Sequence, residues 1–257
     1  MTSATIFEKL HQNSNSNGAS FILLLDPDEA GRDRLPETIG SAVNAGVDAF
    51  FVGGSLLIEN HFDDFVGLIK RYSGNIPVIL FPGNIQQVSG RADAILFLSL
   101  LSGRNPEYLI GQQVAAAPLI HQVGIESIAC GYLLIESGRT TSVEFVSNTR
   151  PIPRNKTDIA LAHALAAQFL GMKMVYLEAG SGARFPVPDE MIRRVSGSVT
   201  IPVAVGGGIR TPEEASRKVQ AGANMVVIGD LFEQEGYGKM LAEFAAAIHQ
   251  QATKKDK

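Results

Sequence analysis

Apolar residues along the chain gather into eight short runs that end in glycine or polar residues. They are "FILLLD" from Phe21, "AFFVGG" from Ala49, "PVILFPG" from Pro77, "AILFLS" from Ala94, "SIACGYLLI" from Ser127, "MVYLEAG" from Met174, "PVAVGGG" from Pro202 and "MVVIGD" from Met225. Apolarity is continuous within each run, as in parallel strands covered on both faces. Most of the intervening segments have helix length and recognisable ends. In "TPEEASRKVQAG", Thr211 is placed to cap a helix, Pro212 to occupy its first position, Glu214 to close a capping box and Gly222 to stop it. "TDIALAHALAAQFLG" reads the same way and stops at Gly171. Eight strands alternating with helices predict a (β/α)8 TIM barrel, with a doubly wound open sheet as the alternative.

Two spacings depart from the regular alternation. Only about ten residues, "NIQQVSGRAD", join the third run to the fourth, less than a crossover with a full helix needs. The helix after strand three is therefore predicted to be short or missing, leaving the wall thin there. Between Glu136 and Asp158 the chain is long, and it predicts a functional excursion over one end of the barrel, with "TTSVEFVS" as extended structure. Residues 1–257 read as one barrel domain with an N-terminal extension over 1–19 and a frayed tail over 250–257. Within that extension a helix is expected from Ala4 to His11, followed by a flexible "QNSNSNG".

The chain has 257 residues, 45% hydrophobic and 19% charged, enough for one large barrel core. A formal net charge of −4, with no basic run besides the terminal "TKKDK", argues against nucleic acid as the main partner. Cys130 is the only cysteine, which excludes an internal disulfide; within "SIACGYLLI" it reads as a small buried hydrophobe. The first residues lack the features of a signal peptide, and no run is long enough to span a bilayer, so a soluble, cytoplasmic protein is expected.

Barrel active sites lie at the C-terminal ends of the strands, and here those ends concentrate glycine and polar groups. Gly206, Gly207 and Gly208 allow backbone N–H groups to approach an anion. With Gly229 and a helix start near Leu231, they predict a phosphate site after strands seven and eight. Asp26 is a carboxylate in an apolar setting, suited to Mg²⁺ with Ser55 beside it, or else to capping the next segment. Asp28 is read either as a turn residue or as a ligand. Tyr176 and Glu178 are two residues apart and share one side of a strand. Glu178 is a candidate general base for a substrate hydroxyl, the alternative being a buried ion pair with Arg210. None of the five histidines falls on a strand end, and none is assigned to catalysis.

"YLEAGSG", "VAVGGGIRT", "LDPD" and "FVGGS", with "LFPGN", "ADAILFLSLLSGRNPEYLIGQ" and "GYLLIESG", closely resemble the geranylgeranylglyceryl phosphate synthase family of prenyltransferases. The likeness runs from Phe21 to Glu235, and "IPRNK" resembles the bacterial members of the family's second group. It implies ether-lipid biosynthesis, joining sn-glycerol 1-phosphate to a long prenyl diphosphate, geranylgeranyl or alternatively heptaprenyl. Carried over by position, Asp26 and Ser55 would bind Mg²⁺. Tyr176, Leu177, Glu178, Ala179, Gly180, Ser181, Gly182, Gly207, Gly208, Gly229 and Asp230 would bind glycerol 1-phosphate, and Glu178 and Tyr176 would serve catalysis. Asp230 stands where the family usually has Asn, so its backbone N–H is expected to face the phosphate. Tyr108 replaces a bulkier aromatic. Phe81, Phe97 and Leu101 are expected to line the prenyl site. The family also implies a homo-oligomer, dimer or hexamer, with membrane contact only through its product. A phosphosugar isomerase or cyclase, or a non-catalytic phosphometabolite-binding barrel, are the competing readings.

Overall fold

The computed structural model describes residues 4–28, 30–31, 33–58, 61–229 and 237–249. Eight parallel strands, β1 (Ser20–Leu25), β2 (Ala49–Val52), β3 (Val78–Leu80), β4 (Ala94–Leu100), β5 (Glu126–Leu134), β6 (Met174–Glu178), β7 (Val203–Gly206) and β8 (Met225–Ile228), pair in chain order. β8 returns to β1 and closes the barrel. The expected (β/α)8 barrel is thus the observed architecture, and all eight apolar runs supply its strands.

Side chains alternate between two layers. Inward residues such as Ile22, Ala49, Phe51, Ile79, Leu96, Cys130, Met174 and Met225 fill the barrel, small against large. Outward residues such as Leu23, Phe50, Val52, Val175 and Val205 meet the surrounding helices. These are α2 (Leu35–Ala45), α3 (Phe62–Tyr72), α4 (Gln112–Val123), α6 (Thr157–Phe169), α7 (Asp189–Ser196), α8 (Pro212–Gln220) and α9 (Tyr237–Ile248). After β3 there is only a 3₁₀ turn, Ile85–Gln87, so the helical ring is thin where the short spacing predicted it. A π-helical turn, Glu107–Gly111, leads into α4. Among the described residues no helix is long and apolar enough to cross a membrane.

Three local expectations are corrected. The N-terminal helix α1 (Ile6–Asn17) does not stop at His11 but continues through the polar "NSNSN". Its hydroxyls are satisfied within the helix, Ser14 donating to the His11 carbonyl (2.8 Å) and Ser16 to that of Gln12 (3.1 Å). At its start the Glu126 carboxylate accepts the N–H groups of Ile6 (2.6 Å) and Phe7 (3.3 Å), while Leu10 is buried against the barrel interior. Tertiary anchoring thus overrides weak helix propensity. Second, "TTSVEFVS" is not extended: Ser142–Ser147 forms α5. Val143 and Val146 line the central cavity at helical spacing, while Phe145 points to solvent. Third, Thr211 caps α8 as predicted, accepting the Glu214 N–H (3.2 Å), but the Glu214 carboxylate reaches one residue further back, to the Arg210 N–H (2.8 Å). The 250–257 tail lies outside the described residues.

Leu10 identifies α1 as a plug rather than an appendage. Leu10→Ala should cost about 2–5 kcal/mol, each kcal/mol lowering Tm by about 2–4 °C in a chain of this size. Differential scanning calorimetry checks this against Ser16→Ala on the exposed side of α1; equal, small shifts would mean that α1 is dispensable.

Candidate active site

The inward alternation continues past the apolar strands into the chemistry. Asp26 follows Ile22 and Leu24, Glu178 follows Met174 and Tyr176, and glycine stands at the corresponding places on β2, β7 and β8, at Gly53, Gly206 and Gly229. Asp26, Gly53, Glu178 and Gly229 line a cavity of ≈ 490 Å³ at the C-terminal ends of the strands, within the range of small-ligand sites. Of the residues singled out in the sequence, Asp26, Asp28, Ser55, Tyr176, Glu178, Ser181, Gly207, Gly208 and Gly229 line it.

Glu178 is nearly buried, and its Oε1 accepts the Gly180 N–H at 2.6 Å. Arg210 is not its ion-pair partner, because that guanidinium donates to the carbonyls of Ala183 (2.5 Å) and Arg184 (3.4 Å). Two of the three consecutive glycines make room for this carboxylate. A Cβ on Gly206 would run into the Tyr176 hydroxyl and lie 3.0 Å from Glu178 Oε2; one on Gly207 (φ +80°) would collide with Glu178 Oε1. The N–H groups of Gly207 and Gly208 have no acceptor among the described residues, so they retain the anion-binding capacity the run suggested.

Tyr176 is fully buried, stacked between Phe81 (centroids 5.3 Å apart) and Tyr132 (5.6 Å). Burial, and next the Glu178 charge, push the ionisation of both tyrosines well above the ordinary range, so both stay protonated. The Tyr176 hydroxyl lies beside the Glu178 carboxylate but makes no well-formed hydrogen bond among the described residues. Such a group costs about 1–3 kcal/mol unless a ligand satisfies it.

Opposite this corner, Asp26 Oδ1 accepts the Asp28 N–H (3.0 Å), and Asp28 Oδ2 accepts the Ile58 N–H (2.9 Å). Both aspartates therefore organise turns while lining the cavity. Among the described residues no three His, Cys, Asp or Glu side chains gather into a metal cage. Mg²⁺ does not need one, being commonly held by one or two carboxylates with water and substrate phosphate, and the Asp26 and Ser55 oxygens fit that chemistry. Elsewhere the cavity wall is largely apolar, formed by Phe97, Leu98, Tyr108, Ala116, Val143 and Val146 among others.

Some expected members stand elsewhere. Leu177 and Ala179 have the wrong parity, and their side chains are buried in the outer layer. Leu101 is also turned outward, towards Gly131, where a Cβ would lie 3.1 Å from it. Gly180 and Gly182 shape the turn behind the cavity without lining it. Asp230 and the helix start near Leu231 lie outside the described residues. Sequence reading missed Tyr132, whose signal was its inward parity with Cys130 and its register opposite Tyr176. It also missed Gln113, which lines the cavity and donates to the Tyr108 carbonyl (3.2 Å), and which nothing in its local pattern distinguishes from a surface glutamine.

Known proteins share this fold. A geranylgeranylglyceryl phosphate synthase of Chitinophaga pinensis is 47% identical over 230 residues, 90% of each chain. The synthase of Thermococcus kodakarensis is 46% identical over 227 residues, 88% of this chain and 89% of that one. The crystal structure of (S)-3-O-geranylgeranylglyceryl phosphate synthase from Thermoplasma acidophilum, in complex with its substrate sn-glycerol-1-phosphate, superposes with a TM-score of 0.89. It is 37% identical and covers 96% of this chain and 99% of its own. Thiamine phosphate pyrophosphorylase from Pyrococcus furiosus, 15% identical with a TM-score of 0.60, shares the fold alone. The sequence profile of the PcrB family matches residues 13–248. With that span and those relatives, the chain belongs to the PcrB family.

Proposed function

We propose that this protein is a prenyltransferase that joins sn-glycerol 1-phosphate to geranylgeranyl diphosphate, forming an ether at the glycerol 3-hydroxyl and releasing diphosphate. The observation that carries the reading is the polarity of the cavity. One corner offers a buried carboxylate, a tyrosine hydroxyl and glycine N–H groups without acceptors among the described residues, while much of the remaining wall is apolar. That division suits a small phosphorylated acceptor and a long hydrocarbon donor. The relatives named as geranylgeranylglyceryl phosphate synthases, one in complex with sn-glycerol-1-phosphate, support the same assignment.

In this reading the N–H groups of Gly207 and Gly208, with Gly229 and Ser181 nearby, receive the acceptor's phosphate. The Tyr176 hydroxyl, beside Glu178, donates to the acceptor. Glu178 takes the proton of the glycerol 3-hydroxyl as its oxygen bonds to the first prenyl carbon. The carbon–oxygen bond to diphosphate breaks, and its electron pair leaves with the diphosphate. The Phe81 and Tyr132 rings that flank Tyr176 also line the cavity and would attract positive charge growing on the allylic carbon. Asp26 and Ser55 would hold Mg²⁺, which when bound neutralises charge on the departing diphosphate. Fixing both substrates in one cavity makes their encounter effectively intramolecular.

Mixing the protein with sn-glycerol 1-phosphate, geranylgeranyl diphosphate and Mg²⁺ should release one diphosphate per ether formed, and a chelator should stop it. No release with prenyl diphosphates of any length would sink the assignment. Glu178→Gln should lower kcat by about 10²–10⁴-fold with little change in the acceptor KM. A loss under tenfold would remove Glu178 as the base. Gly207→Ala, which pushes a methyl against Glu178 in the acceptor corner, should raise the KM for glycerol 1-phosphate far more than that for the donor. Equal rises in steady-state titrations would contradict the division of the cavity.

A further inference from the structure

Gln87 is fully buried, and all three hydrogen bonds of its side chain go to backbone groups of the loops after β2 and β3. Oε1 accepts the N–H groups of Gly54 (3.1 Å) and Gly83 (3.2 Å), and Nε2 donates to the Gly54 carbonyl (2.8 Å). These bonds fix the orientation of the amide, because the reverse would set its NH₂ against two N–H donors.

The loop it holds is the one that carries Ser55 and touches Asp26. A methyl on Gly54 would run into the Asp26 carboxylate, and one on Gly83 would strike the Gly54 carbonyl and lie 2.9 Å from that of Ser55. Gly53 and Gly54 have no side chains with which to anchor the segment, so its place is set from outside. The 3₁₀ turn that replaces a helix after β3 ends at Gln87 and brings the amide to this spot.

We propose that Gln87 is a positioning residue for the donor end of the site. It holds the Gly54–Ser55 backbone against Asp26, and Ser55 and Asp26 are the two residues that would hold a divalent cation at the donor's diphosphate. The amide is neutral, so it orders the loop without competing for the cation. An apolar residue of the same size would fill the space but leave two N–H groups and a carbonyl without partners. The inference rests on the reading of Asp26 and Ser55 as the cation and diphosphate corner.

Gln87→Met keeps the volume and removes all three bonds, whereas Gln87→Glu keeps the two acceptor contacts and loses the donor. Mn²⁺ binding in the presence of inorganic pyrophosphate, followed by electron paramagnetic resonance, is compared with the KM values for both substrates. In Gln87→Met the Mn²⁺ affinity should fall and the donor KM rise by about tenfold, equivalent to one or two net hydrogen bonds. The glycerol 1-phosphate KM should stay within about twofold, and Gln87→Glu should fall between. Unchanged Mn²⁺ affinity in the folded variant, or equal rises in both KM values, would overturn the assignment. So would failure of both variants to fold, since Gln87 would then serve only stability. Asp26→Asn separates the two ideas. If it also leaves Mn²⁺ binding unchanged, the corner itself is misread; if it weakens binding while Gln87→Met does not, only the role of Gln87 fails.

Discussion

A carboxylate carried into the interior of an apolar barrel must find donors and space within that barrel, and Glu178 sets this constraint for the site. β6 aims it inward by strict alternation after Met174 and Tyr176. Burial without compensation would be costly. The turn after β6 therefore bends back so that the Gly180 N–H meets the carboxylate, and the neighbouring strand leaves its side-chain positions vacant at Gly206 and Gly207. Tyr176 uses the same vacancy for its hydroxyl. One acidic residue thus accounts for the local sequence of two strand ends.

The apolar half of the cavity follows from a different economy of structure. Omitting a helix after β3 leaves a gap that the π-turn before α4 and the short α5 wall in with aromatic and aliphatic side chains. The Tyr108 hydroxyl, donating to the Val146 carbonyl (3.4 Å), ties these two pieces together. Burying hydrocarbon there contributes about 25 cal/mol per Å² but is non-directional. Orientation has to come from the polar corner, through fixed N–H groups and the carboxylate. The arrangement separates binding strength from alignment, as suits a reaction between a long apolar donor and a small charged acceptor.

Much of this was legible in the sequence. Continuous apolar runs identified all eight strands, and the glycine and polar residues after them located the site. Parity within "MVYLE" put Tyr176 and Glu178 on one side. The same parity excludes the side chains of Leu177 and Ala179 from the cavity, although motif resemblance had included them. The helical course of "NSNSN" and of "SVEFVS" was not legible, because each depends on distant partners, Glu126 and the barrel floor for one, the cavity wall for the other. Gln87 was hidden for the same reason. Its bonds reach Gly54 across 33 positions, and nothing in "NIQQVSG" distinguishes it from Gln86, which precedes it.

The two glycine-rich strand ends share a logic that changes what such motifs signify. The run after β7 first suggests an anion coming close to bare backbone. In the structure the groups filling the missing side-chain positions of Gly206 and Gly207 are the protein's own Glu178 and Tyr176, while the missing Cβ of Gly54 is matched by Asp26. In both places glycine accommodates a carboxylate of the neighbouring strand. At Gly207 and Gly208 the N–H groups remain without acceptors among the described residues. A carboxylate and unpaired N–H donors side by side can handle a proton and a phosphate at once, the two demands made by a phosphorylated alcohol. Glycines that merely cradled an anion would need no acidic residue in register on the adjacent strand; here Glu178 pairs directly with Gly206, and that register sets the acid beside the N–H groups that follow.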